Sequence, residues 1–218
     1  MPRYLHILFD LDGTLIDSAP AILASFHDAF AQTGVAPARA IDASVIGPPL
    51  NETLQLLSGS DDPALIGRLA EAFKASYDST GYQATAAYAG VGELLAALAG
   101  AGLTLSIATN KRLHPTRLIL DHLGWSSHFA HVYALDLFTP RLPHKAAMIA
   151  RLLADQGIAR EDAIYIGDRS EDGESADANG LPFVAVTWGY GSLNADEMRA
   201  GWQAAAQPAA LAALLLAD

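Results

Sequence analysis

The chain has 218 residues, 51% of them hydrophobic, which suits one large domain or one domain carrying an inserted segment. Its formal net charge of −11 disfavours nucleic acid and anionic membranes as partners. The absence of cysteine excludes disulfides, thiolate metal sites and cysteine nucleophiles. The longest apolar run, 211–216, is too short to span a bilayer, and no signal-peptide pattern precedes the first predicted strand. We therefore expect a soluble, cytoplasmic protein.

An apolar run over 4–9 predicts a buried strand that leads into a pair of acids, Asp10 and Asp12. Side chains alternate along a strand, so this spacing places both carboxylates on roughly one side. Two such charges 4 Å apart repel by about 4 kcal/mol at an effective dielectric near 20. A cation or a shared proton must offset that repulsion. The alternative for the same residues is a strand end that runs into an Asp-Gly turn with a helix cap.

The region that follows has the pattern of helices. Ile22, Phe26 and Phe30 recur at helical spacing, and Gly34 ends this segment. Further helices are predicted over 50–57 and 62–77. No strong strand pattern occurs between residues 18 and 87, so we predict an inserted, all-helical cap domain over 18–87.

From residue 90 onward, predicted strands and helices alternate. The strands are predicted over 103–109, 131–135, 163–167 and 183–187, and the helices over 91–99, 113–123, 143–156, 196–202 and 208–216. This alternation predicts right-handed crossovers and a doubly wound, mostly parallel α/β sheet built from 1–17 and 88–218. The run rich in alanine and glutamine near the C-terminus offers no clear sixth strand.

Ligands of such sheets bind beyond the carboxyl ends of the strands, and acids cluster there in this chain. Asp168 follows the strand over 163–167, and Asp172 lies about one helical turn further on. Both could face Asp10 and Asp12. Oxygen ligands without histidine or cysteine suit Mg²⁺. By itself, however, the acidic loop fits a solvated turn nearly as well.

Three further residues could handle phosphate. The hydroxyl of Thr109 and the amide of Asn110, at the end of another predicted strand, are able to bond phosphate oxygens. Lys145 lies near a predicted helix start, where a cation opposes the helix dipole and an ordinary surface lysine is less expected. It could neutralise a carboxylate and a phosphoryl oxygen together.

Taken in order, these segments resemble the four motifs of the haloacid dehalogenase superfamily: 10–15 (Asp-Leu-Asp-Gly-Thr-Leu), Thr109, Lys145, and 167–172. The helical insertion, together with 46–50, 88–91 and 186–191, resembles the phosphoglycolate phosphatase-like branch with its small helical cap. The resemblance covers nearly the whole chain. It implies a Rossmann-like core and a Mg²⁺-dependent phosphatase.

The resemblance also implies a role for each acid. Asp10 would attack phosphorus and form an aspartyl-phosphate, and Asp12 would transfer protons. Mg²⁺ would be bound by Asp10, by Asp12 through its backbone carbonyl, by Asp168, and by Asp172 directly or through water. An acid at position 12 fits turnover of the phosphoenzyme by water.

The remaining motif residues would bind the phosphoryl group. Thr109 and the neighbouring amides would hold its oxygens, and Lys145 would stabilise its charge. Gly13 would let backbone amides approach phosphate, and Thr14 would support Asp12 by a hydrogen bond.

The predicted cap should select the substrate, but its cations, Arg39, Arg68 and Lys74, do not form a carboxylate clamp. In the loop that follows Gly47, that glycine and Asn51 are the best candidates for a lid contact, although a plain interhelical turn fits equally well. Lys111 and Arg112 could reach the non-reacting end of a substrate.

We therefore expect hydrolysis of a small phosphorylated metabolite, such as a phosphoglycolate-like compound, a sugar phosphate or a nucleotide, by a monomer or homodimer. Two alternatives remain open at this point. One is a phosphomutase of the β-phosphoglucomutase type. The other is a non-catalytic protein that binds phosphorylated metabolites, although binding alone does not need Asp12.

Overall fold

The computed structural model describes residues 2–191, 193–194 and 196–217. Four residues within the predicted core segments 1–17 and 88–218 lie outside the described ones: Met1, Ser192, Ala195 and Asp218.

Six strands form one sheet in the order β5-β4-β1-β6-β7-β8, and every neighbouring pair is parallel. The eight strands of the structure are β1 (His6–Phe9), β2 (Ile16–Asp17), β3 (Ala86–Ala87), β4 (Thr104–Thr109), β5 (Phe129–Ala134), β6 (Ala163–Gly167), β7 (Phe183–Val186) and β8 (Gln203–Ala205). This topology confirms the predicted doubly wound α/β fold.

Helices connect these strands and form the segment between β2 and β3. They are α1 (Ala19–Thr33), α2 (Leu50–Ser58), α3 (Pro63–Tyr77), α4 (Val91–Gly100), α5 (Leu113–His122), α6 (Lys145–Gln156), α7 (Ser170–Ala178) and α8 (Pro208–Leu216). In the described part of the chain, none of them has the length and apolar content needed to cross a membrane.

The central strand β1 is buried on both faces because its apolar run is continuous. Ile7 and Phe9 point into the cluster that contains residues of α4, α5 and α8, whereas Leu8 points into the cluster that contains residues of α6 and α7. This period of two follows from the strand pleat. Helices therefore cover both faces, and the carboxyl edge of the sheet is left for a site.

The segment between β2 and β3 is helical, as predicted, and packs around aromatic side chains. The ring centroids of Phe26 and Phe73 lie 4.6 Å apart, and those of Phe73 and Tyr77 lie 5.4 Å apart. Strands β2 and β3 pair antiparallel at the two ends of the segment. Ala86 and Ala87 are exposed and carry no strand pattern, which explains why the sequence did not reveal β3. The division into a core and a cap domain over 18–87 stays a prediction.

The predicted helix over 196–202 is wrong. The side chain of Asn194 accepts hydrogen bonds from the backbone of Asp196 and Glu197, so it closes a local turn. Gly201 then has a φ of 94°, which a continuing helix does not allow. The chain instead enters β8, which is the last strand of the six-stranded sheet. This strand lies within the segment that offered no strand pattern.

Trp202 fixes the position of β8 against helix α7. Its ring lies 5.0 Å from the ring of Phe183, and its Nε1 donates to the Asp177 carboxylate at 3.1 Å. A Cβ added at Gly173 would lie 2.3 Å from the Trp202 ring. Only glycine permits this close approach between the helix and the indole.

We predict that Gly173→Ala lowers the free energy of unfolding by about 1–2 kcal/mol, since the steric overlap (about 1–3 kcal/mol) outweighs the helix preference of alanine (up to about 1 kcal/mol). Gly92→Ala in α4 is the matched control, because nothing lies within 4 Å of its added Cβ. It should stabilise the protein. Urea unfolding measures both variants, and equal effects of the two would contradict the packing argument.

Candidate active site

Strands β4, β1 and β6 lie side by side, so their carboxyl ends meet at one edge of the sheet. Asp10, Thr109 and Asp168 follow or end these strands, and all three are buried. The backbone N–H of Asp10 donates to the carbonyl of Ile166 at 2.9 Å, which extends the sheet pairing to the first acid. The structure thus brings together the three polar strand ends that the sequence singled out.

Three buried carboxylates form a cluster at this edge. Asp10, Asp168 and Asp172 each offer an oxygen atom, and these atoms lie within 4.8 Å of one another. Burial, reinforced by the neighbouring carboxylates, raises the pKa of Asp10 to about 8 and that of Asp168 to about 7. Asp10 Oδ1 is buried and accepts no hydrogen bond from any residue that the structure describes. An all-oxygen donor set with an unsatisfied carboxylate oxygen fits a hard cation such as Mg²⁺.

Lys145 supplies the positive charge of this cluster. Its Nζ lies 3.3 Å from Asp10 Oδ1, without hydrogen-bond geometry, and 2.5 Å from Asp172 Oδ1. Burial lowers the pKa of Lys145, but Asp10 and Asp172 outweigh burial and raise it well above the usual value. The lysine is therefore protonated. It is the first residue of α6, where the side chain of His144 accepts a hydrogen bond from the backbone of Ala147.

The carboxylate of Asp12 is not part of this cluster. It accepts hydrogen bonds from Lys111 Nζ, at 2.9 Å to Oδ1 and 3.3 Å to Oδ2, and from the Ser18 hydroxyl. The Ser18 hydroxyl also lies 3.1 Å from that of Tyr190. Of the four residues predicted to bind metal, Asp12 thus differs from the other three. If Asp12 binds the metal, the ligand atom would be its backbone carbonyl oxygen.

Gly13 allows the first loop to approach Asp168 closely. Its φ is 81°, and an added Cβ would lie 2.1 Å from Asp168 Oδ2. The Thr14 hydroxyl donates to Asp168 Oδ1 at 3.4 Å, so the predicted hydrogen bond from Thr14 to Asp12 is wrong. The reason is that Thr14 lies in the turn that faces β6. The backbone N–H of Gly191 donates to Asp168 Oδ2 at 2.8 Å.

The residues at the end of β4 make different contacts. The hydroxyl of Thr109, the last residue of β4, is buried and accepts from the backbone of Lys111 at 3.2 Å. Asn110 Nδ2 instead donates to the carbonyl of Gly47 at 3.3 Å and to Glu171 Oε1 at 3.1 Å. The side-chain donor of Asn110 is therefore already engaged. It connects the sheet edge to the loop before α2.

A cavity of about 70 Å³ lies between the sheet edge and the helical segment, and residues of both line it. Asp12, Asn110, Lys111 and Arg112 line one side, together with Gly47. The other side is apolar and is lined by Ile22, Phe26, Val45, Ile46, Leu50, Phe73 and Tyr77, among others. Asn51 is exposed and does not line this cavity, but it lines a neighbouring pocket together with Asn110 and Arg112.

Sequence reasoning missed two residues of the site, Ser18 and Tyr190. Ser18 is fully buried and contacts both Asp12 and Tyr190, which is 172 positions away in the chain. The aromatic pair of Trp188 and Tyr190 was the available signal. Trp188 Nε1 donates to the carbonyl of Thr14 at 2.9 Å, so this loop closes over the first motif.

The parallel sheet and the acids at its carboxyl edge define an α/β protein with a Rossmann-like core and an acidic, lysine-paired site. The family model described as haloacid dehalogenase-like hydrolase matches residues 7–186. The chain belongs to this family.

Among curated proteins, the chain is similar to a 5′-nucleotidase of Pseudomonas aeruginosa, with 38% identity over 91% of this chain and 88% of that protein. It is also similar to a phosphoglycolate phosphatase of Xylella fastidiosa, with 35% identity over 91% of this chain and 86% of that protein. Among solved structures, a haloacid dehalogenase-like hydrolase of Streptococcus pneumoniae superposes with a TM-score of 0.81 at 27% identity, covering 97% of this chain and 98% of that one.

A relative that is named for a different activity is the tyrosine-protein kinase PtkA of Mycobacterium tuberculosis. It is 36% identical over 85% of this chain, and the match spans 62% of its own length. Its solved structure superposes with a TM-score of 0.77 at 31% identity, covering 99% of both chains.

We predict that the metal-free protein loses stability as the pH rises. The folded-state pKa values of Asp10 (about 8) and Asp168 (about 7) exceed the ordinary 3.8, so their protons stabilise the fold at low pH and leave as the pH approaches 8. In a chelator, Tm should fall by on the order of 5 °C between about pH 6 and pH 8. Added Mg²⁺ should remove much of this fall, because it replaces the lost protons.

Asp168→Asn should show a smaller fall with pH and little stabilisation by Mg²⁺ in the same melting experiment. Asp61→Asn, at an exposed position, should behave like the parent protein. A Tm that rises with pH in the chelator, or equal stabilisation of the Asp168 variant by Mg²⁺, would contradict this account.

Proposed function

We propose that the chain is a Mg²⁺-dependent phosphomonoesterase that hydrolyses a small phosphorylated metabolite through an aspartyl-phosphate. The observation that carries the proposal is the separation of the two first-motif acids. Asp10 belongs to the buried cluster with Lys145, whereas Asp12 faces the cavity and pairs with Lys111. The relatives named 5′-nucleotidase and phosphoglycolate phosphatase support the same reaction class.

In this proposal, the two acids divide the chemistry. A carboxylate oxygen of Asp10 attacks phosphorus, and the bond to the alcohol oxygen breaks. Asp12 enters this step in its protonated form and gives its proton to the departing oxygen. It then takes a proton from the water that hydrolyses the acyl phosphate, which restores the protonated form. Its hydrogen bond with Ser18 and its ion pair with Lys111 orient it beside the cavity. Phosphate and the alcohol leave, and Asp10 is regenerated.

Asp10, the backbone carbonyl of Asp12, Asp168 and Asp172 would hold Mg²⁺, and the ion would supply positive charge to the phosphoryl oxygens. Lys145 adds a second fixed positive charge next to Asp10. Together these charges lower the repulsion between an anionic nucleophile and an anionic substrate.

The remaining phosphate contacts would come from the turn at Gly13 and Thr14 and from the Thr109 hydroxyl. Asn110 and Lys111 are engaged with other groups, so their predicted roles in binding phosphate require a rearrangement on substrate entry. The segment over 18–87 would act as the cap, with the loop at Gly47 as the lid contact. Asn51, in the neighbouring pocket with Asn110, stays a predicted contact of the substrate.

We predict that Asp10→Asn reduces Mg²⁺-dependent phosphate release from p-nitrophenyl phosphate by at least about a thousandfold, because the amide is a poor nucleophile. Asp61→Asn should keep the activity. Full activity in the Asp10 variant would disprove the nucleophile assignment.

Asp12→Asn should allow the first step on an activated aryl phosphate and block the second, since no group remains to activate water. Intact-protein mass spectrometry after mixing with p-nitrophenyl phosphate should show one phosphoryl group retained on the variant and none on the parent protein. Normal turnover by Asp12→Asn, or a phosphoryl group retained on the Asp10→Asn, Asp12→Asn double variant, would contradict the assignment.

The phosphatase, the phosphomutase, the binding protein and a protein kinase would each give a different result. A phosphomutase would convert a sugar monophosphate through a bisphosphate and release little phosphate to water. A binding protein would gain thermal stability with phosphorylated ligands and turn none of them over. A tyrosine-protein kinase, as PtkA is named, would transfer phosphate from ATP to protein tyrosine.

A further inference from the structure

The cavity beside Asp12 is the place that a leaving group would occupy. Asp12 lines it, and in the proposed mechanism this acid protonates the oxygen of the departing alcohol. The group attached to that oxygen therefore extends into the cavity. The cavity has a volume of about 70 Å³ and suits a compact apolar group, because its lining includes Ile22, Phe26, Ile46, Leu50, Phe73 and Tyr77.

Two cations line the cavity, and the first of them, Lys111, is already paired. Its Nζ donates to both carboxylate oxygens of Asp12, at 2.9 and 3.3 Å, and lies 4.7 Å from the centre of the Tyr77 ring. The side chain is almost fully buried. Its charge is therefore committed to Asp12 and to the aromatic face.

The second cation, Arg112, is paired in the same way with Asp78. Its Nη1 and Nη2 donate to the two oxygens of Asp78 at 2.7 and 2.5 Å, a bidentate arrangement that uses the planar end of the guanidinium. Lys74 and Arg169 are nearby cations that do not line the cavity. Lys74 pairs with Glu71 at 2.8 Å, and the Arg169 side chain lies against Gly47 and Gly191. Among the described lining residues, no cation is thus left for a substrate carboxylate.

We propose that this protein selects phosphate esters of small, uncharged, largely apolar alcohols and discriminates against esters whose leaving group carries a carboxylate. The inference rests on the proposed phosphatase function and defines its substrate class. A carboxylate in this cavity would lose its water and gain no free counterion, next to Asp12 and in a chain of net charge −11. Phosphoglycolate, for which several relatives are named, is therefore a poor fit.

The test compares phosphoglycolate with the phosphate ester of glycolamide, which has the same shape and a neutral amide. The protein should hydrolyse the amide with a kcat/KM at least about tenfold higher, because an unpaired carboxylate costs more to desolvate than a neutral amide. Propyl phosphate should exceed methyl phosphate by about fourfold for each methylene that enters the apolar wall.

Two variants test the pairing of Arg112. Asp78→Asn releases the guanidinium, so the kcat/KM for phosphoglycolate should rise several-fold relative to that for the amide. The double variant Asp78→Asn with Arg112→Gln replaces the ion pair by neutral groups of similar shape, and the preference for the amide should persist. If Arg112 were a carboxylate clamp, the double variant would selectively lose activity on phosphoglycolate.

Failure of this inference and failure of the proposed function give different results. Hydrolysis of phosphoglycolate as fast as or faster than that of the amide, abolished by Asp10→Asn, would overturn the substrate class and leave the phosphatase standing. If none of the four esters released phosphate, or if release survived Asp10→Asn, the proposed function would be overturned and the inference with it.

Discussion

The contact of Lys145 with Asp10 and Asp172 is the interaction on which the rest of the site depends. Three carboxylates are buried at one edge of the sheet, and one ammonium group lies among them. Burial raises the pKa values of Asp10 and Asp168 and Lys145 lowers them, so without that charge both acids would hold their protons to a higher pH. Helix α6 begins at Lys145, so the entry of the chain into this helix places the counterion. The residue that begins helix α6 is therefore also the residue that pairs with the acids of the candidate site.

A second lysine repeats this arrangement at the other first-motif acid. Lys111 neutralises Asp12 outside the cluster, and the ring of Tyr77 lies against it from the helical segment. Each acid thus has its own counterion, one at the sheet edge and one at the cavity. This separation lets two carboxylates two residues apart stay distinct in environment. Because Lys111 is paired with Asp12, its charge is not available to a carboxylate of the proposed substrate.

The sequence predicted those features that leave a local pattern. Apolar runs marked β1 and β6, glycines marked helix ends such as Gly34, and the strand-end acids marked the cluster. It failed where tertiary contacts decide: β8 is placed by backbone pairing and by Trp202, although its own residues have no strand pattern. The contact between Ser18 and Tyr190 joins distant parts of the chain, and spacing cannot reveal it.

The pairing of β2 with β3 has a consequence for how such a chain can change. Asp17 and Ala86 are opposite one another, so the chain leaves and re-enters the sheet-bearing part of the molecule at adjacent points. A change in the length of the segment between them therefore need not alter the order of the six strands. The acids at the sheet edge and the apolar lining of the cavity lie on different stretches of one polypeptide, so substitutions can alter one and leave the other in place.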